Sequence, residues 1–317
     1  MSPYKKYMVY HEIREVNGKK QNYLVYTKRE DNKILKKSKF IGTGSIQKKL
    51  INKLKEEFKI EVFSSIHSEY LSKKQLEEIE NIKKLYNKKI NLLNKEEFKK
   101  FENTFFTELT YNSNAIEGSS LTLEDVNLII NEGLVPKGKT LREINEAKNH
   151  IEAINFIKNY KGDLNELFIL KIHSIILNNI SERFAGKYRE TTVRIFNSNV
   201  SFPEAYKVQQ LIGNLVYWYK QNKNKLHPFE LAVIFSIKFV SIHPFIDGNG
   251  RVSRLLMNFI LTKKGYPWIN IYTKQREEYL HAVRMGNDEK YKIILEFCIS
   301  TLKENLKSFN IIDRGTN

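Results

Sequence analysis

The run from His243 to Arg254, HPFIDGNGRVSR, brings a histidine, a carboxylate, glycines and two arginines into one short segment. The ring of His243 can act as a general base near neutral pH. Asp247 offers a hard oxygen ligand of the kind that Mg²⁺ takes together with substrate phosphates. The glycines around Asn249 open a helix N-terminus to an anion, and Arg251 and Arg254 share one stripe of that helix. These residues together predict phosphoryl or nucleotidyl transfer.

Two apolar helices must hold this loop. The first is predicted over 229–242 and should end at Pro244, and the second is predicted over 251–264. An earlier His-Pro-Phe run at 227–229 lacks the Asp-Gly-Asn-Gly-Arg sequel, so it predicts a helix boundary and no role for His227. Further helices are predicted at 164–179, 204–222, 275–285 and 288–309, and capping boxes at Thr122–Asp125 and Thr140–Glu143.

The remaining patterns predict a mostly α protein with little sheet. Residues 1–44 contain three β-rich runs and are predicted to form a small accessory meander, which must pack on something to be stable. Residues 45–97 are predicted as a helical N-terminal region. Residues 98–317 form the predicted main domain, with a helix near 105–118.

Composition limits the class of protein. The chain has 317 residues, of which 28% are charged and 41% hydrophobic, and this excludes a disordered or low-complexity protein. The net charge of +17 favours acidic partners, and with the basic meander it motivates a nucleic-acid-binding regulator as an alternative. The lysines are spread along the chain, which also fits a compositional bias without function.

The single cysteine, Cys298, cannot form an internal disulfide. The N-terminus shows no signal peptide, and the longest apolar stretch, 231–242, is too short to span a bilayer. The sequence therefore predicts a soluble, cytoplasmic protein without a membrane partner.

Residues His243 to Arg254 resemble the signature of Fic (filamentation induced by cAMP) proteins, His-Pro-Phe-x-(Asp/Glu)-Gly-Asn-Gly-Arg-x-x-Arg, with no departure. The resemblance extends from about Phe98 to Leu306 and includes Gly186–Arg189 and the Gly265–Pro267 turn, whereas residues 1–60 lie outside it. It implies a Fic-type helical bundle with a short β-hairpin flap.

The resemblance implies a protein adenylyltransferase, which moves AMP from ATP to a Ser, Thr or Tyr hydroxyl of a target protein. His243 would deprotonate that hydroxyl, and Asp247 would hold Mg²⁺, with Mn²⁺ as the alternative metal. The implied ATP- and phosphate-binding residues are Gly248, Asn249, Gly250, Arg251 and Arg254. Phosphotransferase members of the family carry Lys at the position of Gly250, so the glycine favours adenylyl transfer.

Two weaker matches concern substrate binding. Residues 192–202 match the flap that pairs with a target segment, and its target-binding residues would be Thr192, Val193, Arg194 and Ile195. Tyr279 and Asn287 match positions that line the adenine pocket. The alternatives are a purely structural hairpin, a core tyrosine and a helix-capping asparagine.

Residues Ser113 to Gly118 match the Fic inhibitory motif, (Ser/Thr)-x-x-x-Glu-(Gly/Asn), of the subgroup with an N-terminal inhibitory helix (class II). The resemblance implies that Glu117 pairs with Arg254 and withdraws it from ATP, with Ser113 as part of the inhibitory site. The alternative is an ordinary helix terminus with Ser113 exposed. In some relatives the same glutamate serves removal of AMP, so a deAMPylase or a bifunctional enzyme is a second hypothesis. Self-modification and a homodimer stay open, and nucleic acid is the less favoured partner.

Overall fold

The chain divides into two units, residues 1–68 and 69–317, in a computed structural model that describes residues 7–30, 33–64, 68–193 and 201–312. Helices dominate the described residues, and the sheet has three strands. The prediction of a mostly α protein with a small sheet is therefore confirmed.

The first unit is an antiparallel meander in the order β1 (Tyr7–Val16), β2 (Lys19–Glu30) and β3 (Lys33–Thr43). Helix α1 (Lys48–Ser64) belongs to the same unit and packs Phe58 against Leu24 and Tyr26 of β2. The sheet thus has the packing partner that its size requires. The boundary predicted after residue 44 falls between β3 and α1, inside this unit.

The second unit is helical. Its helices are α2 (Lys73–Ile90), α3 (Lys95–Ile116), α4 (Leu123–Asn127), α5 (Leu141–Asn159), α6 (Glu166–Ile176), α7 (Val208–Asn222), α8 (Pro228–Ile242), α9 (Asn249–Thr262), α10 (Arg276–Asn287) and α11 (Tyr291–Ile312). Helices α8 and α9 pack together at the centre, with α5 and α6 against α9, and α10 and α11 against α8. Phe235, Phe239 and Phe259 are fully buried in this core. Helix α3 packs across α5 and α9, which brings its C-terminal end to the start of α9.

The two His-Pro-Phe runs mark the two ends of α8 differently. His227 is the N-cap, and its Nδ1 accepts the Phe229 N–H at 3.3 Å, so this run is a helix boundary, as predicted. His243 follows the last turn in a left-handed conformation, and the chain turns there into the loop before α9.

Side-chain caps fix the helix ends near that loop. The capping boxes predicted at Thr122–Asp125 and Thr140–Glu143 are both present, and they start α4 and α5. Helix α3 ends at Ile116, with Glu117 as its C-cap and Gly118 at φ 102°. Within the described residues, none of the helices combines the length and the apolar character that a membrane span needs.

Candidate active site

The loop between α8 and α9 is shaped by two left-handed residues. His243 lies at φ 50° and ψ 60°, and Gly248 precedes α9 at φ 80°. The Asn249 amide closes the loop, because it accepts the Phe245 N–H at 3.0 Å and donates to the Phe245 carbonyl at 2.8 Å. The Asn249 side chain is thus used within the loop. The backbone N–H groups of the first turn of α9 have no intrahelical acceptor, so this helix end can receive an anion.

A carboxylate from α3 lies at this helix end. A Cβ built on Gly250 would overlap Glu117 Oε1, so the carboxylate rests directly against the Gly250 backbone. Glu117 Oε1 is also 2.9 Å from Arg254 Nη2. The Glu117 side chain is 39% exposed and that of Arg254 only 7%. The N-terminal end of α9, which can receive an anion, is therefore approached by a carboxylate of the protein itself, that of Glu117.

Ser113 supplies further hydrogen bonds to Arg254. The Arg254 guanidinium donates through Nη2 to the Ser113 carbonyl at 2.8 Å and through Nε and Nη2 to the Ser113 hydroxyl at 3.1 Å. Ser113 is buried, which differs from an ordinary exposed helix terminus. Burial lowers the pKa of Arg254, but Glu117 and Tyr279 together outweigh it, so the net shift of the pKa is upward. The structure thus brings Ser113, Glu117 and Arg254 together.

His243 is buried against an aromatic ring. Its imidazole stacks on Phe202, with ring centroids 4.1 Å apart. Burial lowers the pKa of His243 to about 4; the Val240 carbonyl opposes this shift, and the Arg189 charge adds to it. The imidazole is therefore neutral at pH 7, which is the form that can accept a proton.

Arg189 holds the backbone at His243 and Pro244, and also at Thr191 and Pro203. Its guanidinium donates to the carbonyls of His243 at 2.8 Å and Thr191 at 3.0 Å, and to that of Pro203. Its N–H donates to the Pro244 carbonyl at 2.9 Å. Because Arg189 is buried, these bonds fix the position from which the His243 ring projects.

His173 of α6 packs against the loop between α8 and α9. Its ring lies flat on Phe245, with centroids 3.5 Å apart and 3° between the planes. Its Nδ1 accepts the Gly186 N–H at 3.0 Å, so Nε2 carries the proton and donates to the Asp247 carbonyl at 3.1 Å. Burial lowers the pKa of His173 to about 4, which keeps this arrangement neutral at pH 7.

Asp247 is surrounded by positive charge. Its Oδ1 is 3.2 Å from Arg251 Nη2, and its Oδ2 is 2.5 Å from Arg142 Nη2. Arg251 is buried and also pairs with Glu146 Oε1 at 3.2 Å. Burial raises the pKa of Asp247, but the Arg251 charge, the Gly248 N–H and Arg142 together outweigh burial. The net pKa is therefore lowered, and the carboxyl is ionised at neutral pH.

The single carboxylate of Asp247 suits a metal that binds together with the phosphates of a substrate. Among the residues that the structure describes, no group of three or more His, Cys, Asp or Glu side chains could hold a metal on its own. Asp247 is 39% exposed and presents one carboxylate at the anion-receiving helix end. Mg²⁺ is typically bound by one or two carboxylates, water and substrate phosphates, and Asp247 fits that role.

Tyr279 and Asn287 both lie on α10. Tyr279 is buried, with its ring centroid 5.9 Å from Arg254 Cζ. The Asn287 carbonyl oxygen Oδ1 accepts the Ser241 hydroxyl of α8 at 2.7 Å. Both side chains therefore border the ends of the helices that carry the loop, and their adenine-binding role stays a prediction.

The predicted flap is only partly described. Thr192 and Val193 are not in a strand, and neither are residues 201–203 at the other end. Arg194 and Ile195 lie outside the described residues. The target-binding role of these four residues therefore stays a prediction.

Sequence reasoning missed two side chains of the site. His173 stands alone in the apolar run of α6, where a histidine is ordinarily interpreted as a core residue. Arg142 lies within the capping box of Thr140 and Glu143, and that position predicts only an exposed helix start. No local pattern could find either residue, because each acts on the loop through tertiary packing.

Fold and site define a helical domain in which a glycine-containing anion loop opens α9 and faces the carboxylate at the end of α3. Residues 163–261 match the Fic/DOC family. The chain thus contains a Fic domain, and the predicted Fic-type fold is confirmed.

The chain is similar to curated proteins of the same domain. It is 31% identical over 200 residues to "Protein adenylyltransferase Fic" from Drosophila grimshawi, covering 62% of this chain and 41% of that protein. It is 33% identical over 187 residues to "Protein adenylyltransferase fic-1" from Caenorhabditis briggsae, covering 56% and 36%. The chain therefore spans less than half the length of these relatives.

Solved structures show the same fold. A Fic domain containing signaling protein from Bacteroides thetaiotaomicron VPI-5482 superposes with a TM-score of 0.68 at 27% identity, covering 75% of this chain and 98% of that one. Fic-1 (aa134–508) from C. elegans has a TM-score of 0.68 at 22% identity, covering 84% and 78%, and supports the fold alone.

Proposed function

We propose that this chain transfers AMP from ATP to a Ser, Thr or Tyr hydroxyl of a target protein. The observation that carries the proposal is the neutral, buried His243 beside an anion-receiving helix end with two arginines. The curated relatives named as protein adenylyltransferases support the same reaction.

The residues divide the chemistry between them. Neutral His243 takes the proton of the acceptor hydroxyl as its oxygen bonds to the α-phosphorus and the bond to the pyrophosphate oxygen breaks. The amides of Asn249 and Gly250 stabilise the charge on the transferring phosphate, and the Gly248 N–H can join them when it exchanges Asp247 for phosphate. A divalent metal on Asp247, when bound, neutralises phosphate charge. Arg251 and Arg254 bind the departing pyrophosphate, and their planar guanidinium groups suit phosphate oxygens.

We further propose that Glu117 inhibits this reaction, as in class II of the family. The carboxylate lies against Gly250, where the phosphates would bind, and it engages Arg254 at 2.9 Å. A partly exposed pair of this kind is worth on the order of 1–2 kcal/mol, or about five- to thirtyfold in a binding equilibrium. Phosphates must displace Glu117 before they can reach Arg254.

The position of Glu117 also supports a second candidate, removal of AMP from a modified target. A partly exposed carboxylate at the anion site could activate a water for attack on a bound phosphodiester. Incubation of the wild-type protein with an AMP-modified substrate would release AMP if this holds. A substrate that keeps its AMP while Glu117 is intact would exclude it.

The reaction itself is tested by following which phosphate moves. The Glu117→Gly variant would be incubated with Mg²⁺, a cell lysate and ATP labelled either on the α- or on the γ-phosphate. Adenylyl transfer labels protein from α-labelled ATP only, and mass spectrometry finds an AMP adduct on a hydroxyl side chain. Kinases of the lysate also use γ-labelled ATP, so the comparison is with Glu117→Gly combined with His243→Ala. Label from γ-labelled ATP that is lost in this second variant would show phosphotransfer and contradict the proposal.

A further inference from the structure

Arg142 of α5 contacts the carboxylate that is expected to bind the metal. Its Nη2 is 2.5 Å from Asp247 Oδ2, and its Nε is 3.2 Å from Glu146 Oε1. The other oxygen of Asp247 is paired with Arg251 at 3.2 Å and also accepts the Gly248 N–H. Both carboxylate oxygens therefore already have cationic partners.

A metal cation on either oxygen is repelled by the arginine already there, so ligation of Asp247 favours displacement of one of these partners. Arg251 is 2% exposed and is anchored to Glu146 as well, so it cannot leave the site without exposing buried charge. The Arg142 side chain is 58% exposed and can move into solvent by rotation about its side-chain bonds. Arg142 is thus the partner that can be displaced.

The backbone beneath Arg142 is fixed, so its release concerns the side chain alone. Thr140 and Glu143 form a capping box at the start of α5. The Glu143 carboxylate also accepts the Ser120 N–H at 2.8 Å, in the segment that follows the end of α3. The guanidinium is therefore held within reach of Asp247 without any movement of the helix.

We propose that Arg142 competes with the divalent cation for Asp247 and so controls metal loading of the nucleotide site. This rests on the proposed function only in that Asp247 is the metal ligand. Removal of Arg142 leaves the carboxylate with Arg251 and frees Oδ2. Metal-dependent binding of nucleotide should then become stronger, since the metal no longer has to break an ion pair.

The test is isothermal titration calorimetry of ATP into the full chain, once in EDTA and once in excess Mg²⁺. The ratio of the two affinities reports how strongly the metal engages the site, and a direct attraction between Arg142 and the phosphates is recognised because its effect persists in the Asp247→Asn background. For Arg142→Gln we expect this ratio to rise about three- to fivefold, the range of a partly exposed ion pair. Lys148→Gln, which removes a charge from another face of α5, should leave the ratio unchanged.

Asp247→Asn supplies the second control, because the effect of Arg142→Gln should disappear in its background. An unchanged or lower ratio in Arg142→Gln, or an equal rise in Lys148→Gln, would overturn the proposal. The proposal would also be overturned if Arg142→Gln raised the ratio equally in the Asp247→Asn background. Circular dichroism confirms that each variant is folded. Failure of AMP transfer is recognised separately by the labelling experiment, because the titration needs no acceptor protein.

Discussion

The low pKa of His243 predicts an unusual acid tolerance for the transfer reaction. The perturbation is the pH of the assay, lowered from 8 to 5. In the proposed reaction the base is the neutral ring of His243, and burial places the pKa of this ring at about 4. At pH 5.5 about 97% of such a group is still neutral, whereas only about 9% of a histidine with the ordinary pKa of about 6.5 would be.

The assay is the initial rate of AMP transfer at limiting ATP, because this rate follows kcat/KM and reports the free enzyme. The Glu117→Gly variant is suitable, since loss of the Glu117 charge removes an influence that raises the pKa of His243. We expect a nearly constant rate between pH 7 and 5.5. A rate that falls about tenfold by pH 5.5, while circular dichroism shows a folded protein, would refute the argument that burial sets this pKa.

Three further predictions concern the support of the site. Arg189→Met leaves the carbonyls of His243, Thr191 and Pro203 without their donor and should lower the free energy of unfolding by about 2–4 kcal/mol, measured by urea denaturation; an unchanged midpoint would contradict it. His173→Phe keeps the stack on Phe245 but loses both hydrogen bonds of the ring, so AMP transfer should fall more than thermal stability does, and equal losses would indicate a merely structural role. His150, His173 and His243 have pKa values lowered to about 3, 4 and 4 by burial, so the folded state binds fewer protons than the unfolded state. The melting temperature should therefore fall as the pH drops from about 6.5 toward 4, and a flat profile in calorimetry would contradict this.

Local chemistry was predictable wherever a short run of residues determines it. Neighbouring residues determine the caps at Thr122 and Thr140 and the end of α3 at Glu117. They also determine that His227 begins α8 whereas His243 ends it. The Fic signature predicted the loop for the same reason, since a helix N-terminus with glycines is a local structure.

The remaining features depend on packing between distant segments. The His243 ring owes its low pKa to burial, and Phe202, far along the chain, covers its face. Arg142 and His173 contact Asp247 from α5 and α6, which no spacing within the loop could reveal. The joining of α1 to the sheet likewise depends on a tertiary contact, between Phe58 and β2.

In the proposed mechanism, Glu117 restrains an adenylyl transfer that His243 carries out. The most direct measurement compares protein labelling from α-labelled ATP and Mg²⁺ by the wild type, Glu117→Gly and Glu117→Gly combined with His243→Ala. Glu124→Gln, an exposed carboxylate on α4, is the matched control and should label like the wild type. We expect strong labelling by Glu117→Gly alone. Equal labelling by the wild type would contradict the inhibitory role, and labelling that survives His243→Ala would contradict the assignment of the base.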